Sequence, residues 1–209
     1  MKKRFKRLII LCGLALLVGA GIGWFEVQRK QAPATVQQGS PVATPVAGVQ
    51  IGGPYELIDH TGVVRTEADF ADDYKLIYFG FTYCPAICPT ELAKITAALA
   101  QLPEEQATKI QPLFITVDPA RDSVEVMADY VSLFDDRLIG LTGSQDQIDA
   151  VKKAYRVYAR QVEDPDLNDY TVDHSSYIYF MSPDDVLLGM YRIKDTPAYI
   201  LSDIINLLE

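Results

Sequence analysis

KLIYFGFTYCPAICPTEL, residues 75 to 92, joins a run of β-branched and aromatic side chains to two cysteines four residues apart, each followed by proline. Lys75 to Thr82 is too short for a helix and is bounded by charge before and Cys-Pro after, which is the pattern of a buried strand. Pro89 to Leu102 reads as a helix. Pro89 suits a first helical position, Glu91 the first turn, and Leu92, Ile95, Leu99 and Leu102 recur at helical spacing. Cys84 and Cys88 therefore fall where a strand hands over to a helix, the carboxyl edge of an α/β sheet where ligands collect. Cys88 takes the expected N-cap position, where helix amides and the dipole stabilise a thiolate. Cys84 sits on the turn before it, stiffened by its proline neighbours. A disulfide across so small a loop would add little entropic stabilisation, which weighs against a purely structural staple. A redox dithiol and one part of a metal site both remain open.

Outward from this stretch, strand and helix patterns alternate. Ile110 to Val117 is a second strand, Ser123 to Phe134 a second helix, Leu138 to Leu141 a short strand and Ser144 to Tyr155 a third helix. Ser175 to Met181 and Val186 to Tyr191 flank SPDD as a hairpin, and Pro197 to Leu208 closes as an amphipathic helix. Strands separated by helices pair in parallel, and a hairpin needs an antiparallel edge. The expected fold is thioredoxin-like α/β, a central mixed sheet flanked by helices.

The amino end differs in kind. MKKRFKR is followed by LIILCGLALLVGAGIGWF, residues 8 to 25, an apolar run without charge that contains the third cysteine, Cys12. At a helical rise it reaches roughly 27 Å, enough to cross a bilayer. Residues 1–30 are read as a basic cytoplasmic segment and an uncleaved transmembrane anchor, which puts the rest of the chain outside the cytoplasm. Residues 31–54 carry no charge and are punctuated by Pro33, Pro41, Pro45 and Pro54, the composition of a semi-extended linker. Residues 55–209 form one domain. The chain carries a net charge of −9, but residues 1–30 hold seven basic and one acidic side chain, leaving twelve basic against twenty-seven acidic in the remainder. So acidic a surface excludes nucleic acid as a partner and favours proteins or cations.

Three segments resemble one family, the Sco (SenC) copper-handling proteins of respiratory membranes: FGFTYCPAICPTEL at 79–92, TVDPARDSVEVMADYV at 116–131 and DYTVDHSSYIYFMSPDDVLLG at 169–189. The resemblance implies a copper site made by Cys84, Cys88 and His174, and service to the binuclear copper centre of cytochrome c oxidase subunit II. It also implies, as further partner, another periplasmic copper carrier. The implied location is a bacterial inner membrane with the domain in the periplasm, or a mitochondrial inner membrane facing the intermembrane space. Ala86 departs from the family, which commonly has Asp there, and this bears on tuning and partner contacts rather than on ligation.

Donor chemistry agrees with that assignment. Two thiolates and an imidazole suit Cu(I) at low coordination number and hold Cu(II) with an added oxygen, whereas structural zinc wants a fourth protein ligand. His174 precedes a predicted strand, the point where thioredoxins place a cis-proline facing their dithiol, and no proline lies between Asp166 and Asp173. Asp118, ending the second strand, and Asp173, beside His174, are candidates to orient a ligand. In DPARD, Asp122 or Ser123 is the expected helix cap. His60 reads as a loop histidine, and Met127, Met181 and Met190 as packing. Two function classes follow. One is a tethered metallochaperone without enzymatic turnover. The other is a thiol-disulfide oxidoreductase that reduces the recipient's cysteines with Cys84 and Cys88 as its exchanging pair.

Overall fold

The computed structural model describes residues 50–164 and 169–208. The anchor expected at 1–30 and nearly all of the linker at 31–54 lie outside the described residues. Among those described, no helix is long and apolar enough to cross a membrane.

Among the described residues, nine strands and five α-helices follow one another: β1 Glu56–Asp59, β2 Val64–Thr66, β3 Tyr74–Gly80, α1 Ile87–Leu99, α2 Glu104–Ala107, β4 Ile110–Thr116, α3 Val124–Val131, β5 Ile139–Thr142, α4 Gln145–Ala154, β6 Ala159–Asp164, β7 Asp169–His174, β8 Tyr177–Met181, β9 Leu187–Arg192 and α5 Pro197–Leu208. Seven strands form one sheet in the order β2-β1-β5-β4-β3-β8-β9. Its middle, β3, β4 and β5, is parallel, and β1, β8 and β9 join antiparallel. This is the mixed sheet expected.

β3 is central because six of its seven residues, Lys75 to Gly80, are buried, so it contributes to the core on both sheet faces. α1 buries Leu92, Ile95 and Leu99 and packs beside α5, which buries Ile200 and Ile204. The β8–β9 turn is held by Lys75. Its side chain, 1 % exposed, pairs with Asp185 at 2.7 Å and donates to the Pro183 carbonyl at 3.1 Å. Asp185 has a φ of 57°, a left-handed conformation that Asp tolerates better than most residues.

Two expectations change. α1 begins at Ile87, two residues earlier than the proline suggests, with Ala86 at the cap. First-turn amides have no intrahelical acceptor, so a proline fits the third helical position as readily as the first. His174, expected just before a strand, instead ends one: β7 pairs with β6 in a separate two-stranded sheet.

Candidate metal centre

The end of β3 is fixed by a buried carboxylate. Asp122 accepts from the Thr82 amide at 3.1 Å, the Thr82 hydroxyl at 2.6 Å and the Thr116 hydroxyl at 2.5 Å, tying the ends of β3 and β4 together. Desolvation pushes this carboxyl above its ordinary value against those hydrogen bonds. Asp122 is thus a strand pin, and Ser123 is the cap of α3, its hydroxyl accepting from the Val126 amide at 3.3 Å.

From this fixed point the chain turns, Cys84 N–H donating to the Phe81 carbonyl at 3.3 Å, and enters α1. Cys88 is fully buried and Cys84 half-buried, and both are free thiols. Cys88 is held in a tight slot. The Tyr78 hydroxyl donates to its sulfur at 3.7 Å, and Gly80 faces it so closely that a Cβ there would come within 2.8 Å of that sulfur.

The backbone amide of Cys88, a first-turn N–H, donates to the Cys84 sulfur at 3.3 Å. The helix start therefore supports Cys84 as thiolate, not Cys88, a correction that follows from the helix beginning at Ile87. Cys84 drops from its ordinary 9.0 to about 4. The hydrogen bond from the Cys88 thiol is the largest cause, burial opposes it, and further hydrogen bonds come from His174 and from the Cys88 and Ala86 backbone. Cys88 is pushed up, because its proton is donated to Cys84, because it is buried, and because a Cys84 charge lies beside it.

His174 closes the group from 86 residues away in sequence, its Nε2 lying 3.6 Å from the Cys88 sulfur. The other nitrogen, Nδ1, is 3.0 Å from the Ser175 carbonyl, which can only accept, so Nδ1 carries hydrogen. Nε2 then faces the sulfurs with a lone pair when the ring is neutral, the form a metal requires, and as a donor when the ring is protonated. Tyr78 and Phe81 meet the imidazole edge-on, at centroid distances of 6.3 and 5.8 Å. The ring also lines an open groove with Tyr158, Arg192, Ile193 and Lys194.

The fold thus gathers Cys84, Cys88 and His174. They are linked by hydrogen bonds rather than drawn into a cage: among the described residues, no three His, Cys, Asp or Glu side chains already stand in metal-holding array. Asp118 does not touch the sulfurs or the imidazole. Its carboxylate accepts from Arg121 Nε at 2.5 Å and from the Tyr170 hydroxyl at 2.9 Å. Asp173 is exposed, and the Ser175 carbonyl does the orienting that Asp173 was expected to do. His60 lies elsewhere, its Nδ1 accepting from the Gly140 amide at 3.2 Å. Tyr78, Gly80 and Arg121 escape the sequence reading. Only Gly80 left a signal there, as an isolated glycine in a strand, which marks a close approach.

Residues 44–209 match the family model described as SCO1/SenC. The mitochondrial SCO2 homolog of Bos taurus is 46% identical over 178 residues, covering 84% of this chain and 66% of that protein. The Arabidopsis thaliana ScoI crystal structure with copper bound superposes with a TM-score of 0.72 at 40% identity, over 76% of this chain and 98% of that one. BsSco, described as a member of the Sco family of cytochrome c oxidase assembly proteins with a disulfide switch, gives 0.58 at 25% identity, over 74% and 91%. With these matches spread over the folded part, the chain belongs to the SCO1/SenC family.

Proposed function

We propose that this protein binds copper as cargo through the Cys84 and Cys88 thiolates and the His174 imidazole, and delivers it during cytochrome c oxidase assembly, to the binuclear centre of subunit II. The observation that carries the reading is the 3.6 Å approach of His174 Nε2 to the Cys88 sulfur beside Cys84. A dithiol exchanger does not require an imidazole at this position. A copper protein needs one as a third, borderline donor next to two soft ones. The copper-bound relative of the same fold supports this choice of metal. Residues 1–30 act as anchor and 31–54 as spacer, holding the domain 55–209 outside the cytoplasm, in the periplasm or the intermembrane space. The relatives named as mitochondrial support the second location.

The test is retention of copper by the fully reduced soluble domain under chelator challenge. One equivalent is expected to stay bound, and His174→Ala should weaken binding by more than the 10- to 100-fold typical of residues that only orient a ligand. Unchanged binding in that variant, with function abolished by Cys84→Ser, would return the role to the dithiol alone.

That second reading, a thiol-disulfide reductase of the recipient, has its own support. The half-exposed Cys84 is suited to attack and the buried Cys88 to resolve, and the thiol ionised first is the accessible one. The two roles are compatible in alternation, since a copper-loaded dithiol is protected and an empty one is free to exchange.

A further inference from the structure

His174 does not ride on the sheet that carries the cysteines. It ends β7, and β6–β7 pairs only with itself, from Ala159 opposite His174 to Asp164 opposite Asp169. Val172 is the one residue of these strands whose side chain is described as buried. An element with so little buried apolar surface has low local stability unless something fastens it.

Among the described residues, its hydrogen bonds to the rest of the domain occur at two places. One is the His174 contact to Cys88. The other is a cluster around Arg121, whose Nη1 donates to the Tyr170 carbonyl at 2.9 Å and to Asp169 at 3.3 Å, while the Tyr170 hydroxyl donates to Asp118. Asp118, 1 % exposed at the end of β4, holds Arg121 from the sheet side.

The same guanidinium also reaches the cysteine turn. Its carbon lies 3.8 Å from the Tyr170 ring centroid, 4.8 Å from Tyr83 and 5.8 Å from Phe81. Tyr83 directly precedes Cys84, and Phe81 meets the His174 ring edge-on. One planar cation therefore touches the turn bearing one sulfur and the strand bearing the imidazole.

We propose that Arg121 is a positioning residue for the three-donor site: it fastens the β6–β7 hairpin to the cysteine turn and so sets the separation between His174 and the two sulfurs. The proposal rests on the copper reading above. Lysine cannot replace it, because a point charge supplies neither the fork that spans Asp118, Asp169 and the Tyr170 carbonyl nor the broad delocalised cation that lies over the Tyr170 and Tyr83 rings.

The test is a double-mutant cycle on the soluble domain, with copper affinity read by chelator competition and hydrogen exchange of the β7 amides read in the metal-free protein. Arg121→Met is expected to lower affinity about 10- to 100-fold and to speed β7 exchange, with Arg121→Lys failing to restore either. In a His174→Ala background, the same Arg121 changes should alter affinity less than about twofold, because the donor they place is gone. An equal loss in both backgrounds, restoration by lysine, or unchanged β7 exchange would overturn the proposal. If Arg121→Met does not fold, the cycle is run with Arg121→Lys. If His174→Ala leaves affinity unchanged, the three-donor reading falls instead, and the exchange measurement alone decides whether Arg121 fastens the hairpin.

Discussion

A methyl group at position 80 has nowhere to go. It would lie 2.8 Å from the Cys88 sulfur and 3.0 Å from both the Phe114 and Tyr78 rings, all buried. Gly80→Ala should therefore cost roughly 1–3 kcal/mol by overpacking, with an unchanged denaturant slope, and should displace the Cys88 sulfur from its slot. Cys84 gives a pH prediction. Its pKa is lowered on folding from 9.0 to about 4, so its contribution to stability is fully present above pH 9 and is lost as pH falls toward 4. The stability of the reduced domain over its Cys84→Ser variant should shrink on acidification through that window, as read by denaturant melts. Of these two residues, the sequence disclosed the cysteine and its neighbourhood but put the thiolate on the wrong sulfur. A proline marks a first turn without saying which residue of that turn it occupies.

Elements whose burial is set by their own pattern were legible. α5 runs from Pro197 to Leu208 as its periodicity predicts, and β3 and β4 fall within two residues of theirs. The β6–β7 hairpin was not. ARQVED, residues 159 to 164, offers no clean alternation, because Arg160, Gln161 and Glu163 are exposed and its strand character comes from pairing with β7. Asp118 was found as a residue at the sheet edge, but its effect passes through Arg121, and no spacing rule joins residue 121 to residues 169 and 170. Asp122 belongs to this scale because it joins two strand ends. Asp122→Ala leaves the Thr82 amide and two hydroxyls without their acceptor and should cost more than about 3 kcal/mol in a thermal or urea melt, with Asp122→Asn costing less.

At the scale of the molecule, the order of strands and helices carried the fold, and the family match spans the same region. The domain boundary is less sharp than composition suggests. The Gly52 amide donates to the Ala154 carbonyl at 3.1 Å, and a Cβ added at Gly52, whose φ is 99°, would lie 3.1 Å from the Met181 methyl, so the folded unit reaches upstream of Tyr55. A chain beginning at residue 50 should melt cooperatively, and one beginning at Tyr55 should be less stable by about 1 kcal/mol, the worth of that lost hydrogen bond and its packing. Equal midpoints for the two would place Gly52 outside the cooperative unit.

The crowding of Cys88 by Gly80 and Tyr78 also governs how the protein ages in an oxidising environment. The Cys88 sulfur is fully buried and closed on the Gly80 side, whereas Cys84 is half open to solvent and ionises first. Peroxide should therefore oxidise Cys84 first, and its sulfenic acid should condense with the adjacent Cys88 thiol to a disulfide with loss of water, before sulfinic or sulfonic acid builds up. Peptide mapping after graded peroxide exposure of the reduced, copper-free domain would detect it. That disulfide is reducible, so the buried second sulfur shields the exposed one and sets the working lifetime of the pair.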